Sequence, residues 1–154
     1  SFVNNLTKAK LDEVVESFPP DARESVMRKF KTWDPDLLKN YLSSLHVDFV
    51  AGDAKEDAST SFPIKYSLYK AVPYQQKLTK FIDDMLATEV KTDDANKLSD
   101  YVLEQMRLWG QEESSRESRD GRIDLEKIGD DYFISSESSF FTSLSESLDS
   151  ALKQ

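Results

Sequence analysis

The chain contains no cysteine. That absence removes disulfides, thiolate metal sites and thiol nucleophiles together, and it weakens the case for a small secreted scaffold. Glycine is nearly as scarce, with four residues at positions 52, 110, 121 and 129. No dinucleotide fingerprint, no P-loop and no nucleophile elbow can be written with glycines so placed. There is one histidine, His46, so a multi-histidine zinc site cannot form, and the Glu-x-x-His signature of a di-metal bundle is absent. No metal and no cofactor are expected. No apolar run approaches the ~18 residues of a membrane span. The chain opens SFVNNL, without Met or a signal-peptide pattern, so a processed form or a fragment is expected.

Five prolines and four glycines in 154 residues argue against a turn-dense sandwich and for long uninterrupted elements. Nine Phe, six Tyr and two Trp supply bulk for one core. Net charge is −9, which disfavours general binding to nucleic acid or anionic membranes. The charge is uneven: residues 63–91 carry five Lys against three acids, whereas residues 123–154 carry two Lys against seven. The acidic tail would suit a basic partner, or would simply serve solubility.

Helical spacing recurs along the chain. Leu11, Val14, Val15 and Phe18 form one stripe, ended by Pro19 and Pro20. Asp21 with Glu24 has capping-box spacing and opens a second stripe of Val26, Met27, Phe30 and Trp33. Asp34-Pro35 starts a third, carrying Leu37, Leu38, Tyr41, Leu42 and Leu45, with His46 near its end, where an imidazolium meets the negative pole of the helix. Residues 53–61 read as an exposed loop. IKYSLYKAV reads as a short helix, with a strand as the other option given its aromatic and β-branched content. Pro73 starts the longest pattern, running to about Val90. Thr92 or a following acid caps a helix ending at Gly110, which supplies a left-handed cap. Residues 111–122 are almost wholly polar and read as a mobile linker or a long surface loop. The last helix carries Phe140, Leu144, Leu148 and Leu152, widened by Phe141 and Ala151.

The expected fold is therefore all-α: a single-domain helical bundle of about six to seven helices, with a mobile polar loop before a C-terminal amphipathic helix. The expected division is a bundle core over 1–110, a polar linker or loop over 111–122 and an acidic, serine-rich helical segment over 123–154.

Within RDGRIDLEKI, aligning Gly121 with position 6 of an EF-hand loop puts Asp120 at position 5, Ile123 at 8 and Asp124 at 9, all of which resemble that pattern. Positions 1 and 12 then fall on Arg116 and Lys127, cations where carboxylates must anchor the ion. A polar turn at Asp120-Gly121 is the expectation, without calcium. Lys65, Lys70, Lys77 and Lys80 interleave with Tyr66, Tyr69 and Tyr74, a pattern that single-stranded nucleic-acid grooves use. The same pattern also suits lysines that snorkel beside half-buried tyrosines. Ser114 and Ser143 each precede a Glu by three residues, as acidophilic kinase sites do.

No residue pattern marks catalysis; paired acids abound, but nothing distinguishes one pair, and His46 is the best candidate base. The reading that remains is a non-catalytic protein–protein interaction module: an adaptor, assembly factor or subunit of a homo- or hetero-oligomer. Its partner would be another protein, of basic character. Tyr66, Tyr69, Lys70, Tyr74, Lys77 and the helix face of Phe140, Leu144 and Leu148 are the partner-binding candidates. The alternative is a helical bundle enclosing an apolar ligand such as a lipid or fatty acid. An intracellular, soluble location is expected.

Overall fold

A computed structural model of the chain describes residues 1–50, 60–87 and 99–153. A short helix, α1 (Phe2–Thr7), precedes the first apolar stripe, which falls on α2 (Leu11–Glu16) and the two residues after it; Ala9, at φ 53°, breaks the helix between the two. The N-terminus of α3 (Arg23–Phe30) carries no side-chain cap, so the capping box expected of Asp21 and Glu24 does not form. Asp34 does cap α4 (Pro35–Leu42): its carboxylate accepts from the Asp36 and Leu37 amides at 2.9 and 3.1 Å, with Pro35 in the first turn. The long helix α5 (Ala71–Ala87) begins two residues before Pro73. Helix α6 (Asp100–Gly110) is capped by Ser99. The loop expected over 53–61 and the cap expected at Thr92 fall wholly or largely outside the described residues.

The all-α helical bundle is overturned. Four strands, β1 (His46–Phe49), β2 (Ser61–Tyr69), β3 (Arg116–Ile128) and β4 (Asp131–Ile134), form an antiparallel sheet in the order β1-β2-β3-β4, curled into a half-barrel. His46 opens β1 rather than ending a helix. The stretch IKYSLYKAV divides between β2 and the start of α5. The mobile linker expected over 111–122 is a short 3-10 turn (Glu113–Ser115) followed by half of the longest strand. The turn expected at Asp120-Gly121 lies eight residues further on, where Gly129, at φ +64°, links β3 to β4.

The reason lies in the inner face of β3. Register pairs Leu68 with Glu117, Tyr66 with Arg119, Ile64 with Gly121 and Phe62 with Ile123, so these residues share one side of the sheet. Alternation on β3 therefore reads charged, charged, glycine and only then apolar, against Ser118, Asp120 and Arg122 on the outer side. A period of two in hydropathy cannot be seen where both faces are polar. Gly121 is packed rather than turned: a Cβ there would stand 3.0 Å from Tyr66 Cε1 and 3.6 Å from Phe140 Cα.

Helix α7 (Ser139–Leu152) crosses the inner face of the sheet and packs on β3, α4 and α5. Phe140, Leu144, Leu148, Ala151 and Leu152 are all buried. The Phe140 ring meets Tyr66 edge to face at 5.0 Å, and Phe141 meets Phe18 at 5.0 Å and Phe30 at 6.1 Å. Burying each such side chain contributes on the order of 1.5–3 kcal/mol, so this helix is part of the core. A second aromatic cluster joins α4, the end of β2, α5 and α6, with Tyr41 edge-on to Tyr74 at 5.0 Å and Tyr69 stacked on Tyr74 at 5.7 Å. Trp109 lies 5.6 Å from Tyr69. Among the described residues no helix is long and apolar enough to cross a membrane.

Candidate functional site

Because α7 lies across the middle of the half-barrel, it leaves a concavity towards each end of the sheet's inner face. They differ in chemistry. The first, of about 400 Å³, lies between the start of α5, α7 and the polar end of β3, and is lined by Lys70, Glu117, Arg119, Ser143, Glu146 and Ser147 among others. Arg119 pairs with Glu117 two residues away on the same face, and its Nη1 donates to Ser147 Oγ at 2.6 Å and to Ser143 Oγ at 3.3 Å. Tyr66 donates its hydroxyl proton to Ser143 Oγ at 2.9 Å. Burial works against the Arg119 charge, and the bonds to Glu117 and Tyr66 outweigh it, holding the guanidinium above its ordinary range. This network is satisfied from within: among the described residues no buried side-chain nitrogen or oxygen lacks a partner. Its evident work is to seat α7 on a strand whose inner positions are charged.

The second concavity, of about 420 Å³, is apolar. Phe62 of β2, Ile123 and Leu125 of β3 and Ile134 of β4 form its floor; Val47 and Phe49 of β1 form one wall; Phe2 and Val3 of α1 face them. Its rim is greasy too, since Phe49 is 60% exposed. The pocket exists because the sheet curls while β3 turns from charged to apolar at Ile123. No side chain of α7 lines this end.

Elsewhere, chemistry is sparse. Among the described residues no three acid or histidine side chains converge as a metal site would require. His46 is exposed, its Nε2 3.2 Å from Asp48 Oδ1 on the outer side of β1. Neither pocket includes it. Tyr41 and Tyr74 are fully buried, with hydroxyls donating to the Tyr69 carbonyl and to Asn40 Oδ1, each at 2.7 Å. Desolvation raises both hydroxyl pKa values far above the ordinary tyrosine range, so neither supplies a base.

The residues singled out in the sequence fall mainly inside. Tyr66, Tyr69, Tyr74, Phe140, Leu144 and Leu148 are buried in the chain's own core, whereas Lys70 and Lys77 are half-buried. Lys70 lines the polar concavity; Tyr66 and Phe140 meet above Gly121; Tyr69 and Tyr74 join the Trp109 cluster. These eight do not form one surface. Ser143 is tied to Tyr66 and Arg119, while Ser114 is exposed. The pocket residues Val47, Phe49, Phe62, Ile123 and Leu125 escaped sequence reasoning. The signal that carried them is the period of two in VDF, FPIKYSL and IDL, three short runs far apart in the chain. No family model, curated protein or solved structure matches the chain.

Proposed function

We propose that this protein is a non-catalytic interaction module whose recognition site is the apolar pocket at the end of the half-barrel, receiving an apolar group of a protein partner. One observation carries the reading: a cavity of about 420 Å³ walled by Val47, Phe49, Phe62, Ile123, Leu125 and Ile134, with Phe49 largely exposed. Apolar surface left open to water is unfavourable unless another molecule covers it, and pockets of this lining hold ligands by excluding water. Helix α7 is part of the core and so offers no detachable surface for a partner. A second reading is favoured by volume alone. About 420 Å³ lies within the ~300–1,000 Å³ range of small-ligand sites, so a fatty acyl chain is the other candidate for the same pocket.

The test uses the fluorescent apolar probe 1-anilinonaphthalene-8-sulfonate. Saturable binding with blue-shifted emission is expected of the native protein. Phe62→Glu, which sets a carboxylate among apolar walls, removes that signal while far-ultraviolet circular dichroism stays unchanged. Absence of saturable binding, or binding indifferent to Phe62→Glu, overturns the assignment.

A further inference from the structure

The sheet has two edges, and they are treated differently. The edge of β4 is covered at Ile134, whose amide donates to the Ser17 carbonyl at the end of α2 at 2.7 Å, and Arg23 lies over the Phe133 ring at 5.7 Å. At β1 no such cover exists among the described residues. The Val50 amide bonds the Pro63 carbonyl opposite it, which fixes the phase of the β1–β2 ladder. Counting back, Asp48 and His46 turn their backbone groups towards β2, and Val47 and Phe49 turn theirs to the open side. Val47 and Phe49 are also the β1 residues whose side chains line the apolar pocket. Open hydrogen-bonding groups and an apolar receptor thus coincide on two residues.

Resting on the pocket reading above, we infer that β1 is a strand-addition site: an extended peptide segment of a basic partner pairs antiparallel with β1, with an apolar side chain in the pocket. Main-chain bonds to Val47 and Phe49 supply affinity, and the pocket selects the side chain between them and the barrel interior. Antiparallel pairing puts the segment's apolar residues opposite Val47 and Phe49, and its intervening residue opposite Asp48 on the outer face. A cation there meets the Asp48 carboxylate at cross-strand distance, on a chain whose net charge is −9. Alternating basic and apolar residues are therefore the partner's signature. β1 is short, at four residues, but carries no proline, no lysine and no bulge along its edge.

The experiment uses the full chain and an acetylated, amidated probe heptapeptide, Lys-Val-Lys-Phe-Lys-Val-Lys, followed by amide shifts and calorimetry. Binding is expected, with the largest shifts at the Val47 and Phe49 amides. N-methylation at the Phe and both Val residues removes the donors that face β1 and weakens binding by about tenfold or more. N-methylation at the two inner Lys residues, whose amides point away, leaves it nearly unchanged. Equal sensitivity to both, or to neither, overturns strand addition. So does a concentration-dependent dimer that buries β1 and that the peptide cannot dissociate, since the occupant is then a second copy. If the naphthalene probe binds and the peptide does not, strand addition fails and the pocket assignment stands; if neither binds, both fail.

Discussion

Tyr66 on β2 gives its hydroxyl proton to Ser143 on α7 across 2.9 Å, and the same serine accepts from Arg119 on β3. Three elements thus share one oxygen. The arrangement explains a helix rich in serine where leucine would bury more apolar area: a charged inner face on β3 needs acceptors opposite it. Ser147 is the closer of the two acceptors at 2.6 Å, and is itself buried. Ser147→Ala strands one guanidinium donor and should cost about 1–3 kcal/mol, read from urea denaturation. Ser147→Thr, which keeps the hydroxyl, should recover most of it. A Ser147→Ala protein as stable as the native one would show that water replaces the serine without cost.

Gly121 offers a sharper test of how α7 sits on the sheet. Any side chain there grows into the Tyr66 ring and the Phe140 backbone, with first contacts at 3.0 and 3.6 Å. Gly121→Val suits a strand by propensity but overpacks this layer, and should destabilise by about 1–3 kcal/mol. The melting temperature measures it. Gly121→Val at an outer-face position would instead be neutral or favourable, so a rise in melting temperature would place residue 121 on the wrong side of β3.

Most of the helices were legible because they carry their own signals. Asp34-Pro35 with Leu37, Leu38, Tyr41 and Leu42 is a cap and a stripe within nine residues, and Phe140, Leu144 and Leu148 recur every fourth position. The sheet was not, for three different reasons. β1 has only four residues. β2 places Tyr66 and Tyr69 where a helical stripe would also place them. β3 hides its inner face behind Glu117 and Arg119, which become reasonable only once Ser143 and Ser147 stand opposite. The apolar pocket inherits all three difficulties, because its β1 and β2 residues lie some 60 or more positions before its β3 and β4 residues. Long-range pairing converts scattered V-x-F, F-x-I and I-x-L runs into one surface, and no local window contains it.

The phase of β1 has a consequence in the free protein. Among the described residues the Val47 and Phe49 amides have no ladder partner, whereas Asp48 bonds to β2 opposite Lys65. Native-state hydrogen exchange should show Val47 and Phe49 exchanging about tenfold faster or more than Asp48. A pattern with Asp48 the fastest of the three would shift the ladder by one residue. It would then turn Val47 and Phe49 out of the pocket wall.

Stability should fall steeply in alkali, because burial raises the hydroxyl pKa of Tyr41, Tyr69 and Tyr74 above the ordinary value of 10.0. At Tyr41 the Arg119 charge pulls the other way but does not prevail. Below pH ~10 these groups are protonated in folded and unfolded chains alike, and their contribution is complete. Above it the unfolded chain sheds protons that the folded chain retains, so the unfolded state is favoured as pH rises. For Tyr41 and Tyr74, both fully buried, the loss approaches about 1.4 kcal/mol per pH unit each. Urea midpoints at pH 8, 10 and 11 measure the slope. Lysines titrate in the same range, so Tyr74→Phe serves as the control. It forfeits the 2.7 Å bond to Asn40 and is less stable at pH 8, yet its loss between pH 10 and 11 is smaller by about one proton's worth. Parallel profiles for the two proteins would mean that Tyr74 ionises as freely folded as unfolded, which a hydroxyl sealed between Tyr41, Tyr69 and Trp109 cannot do.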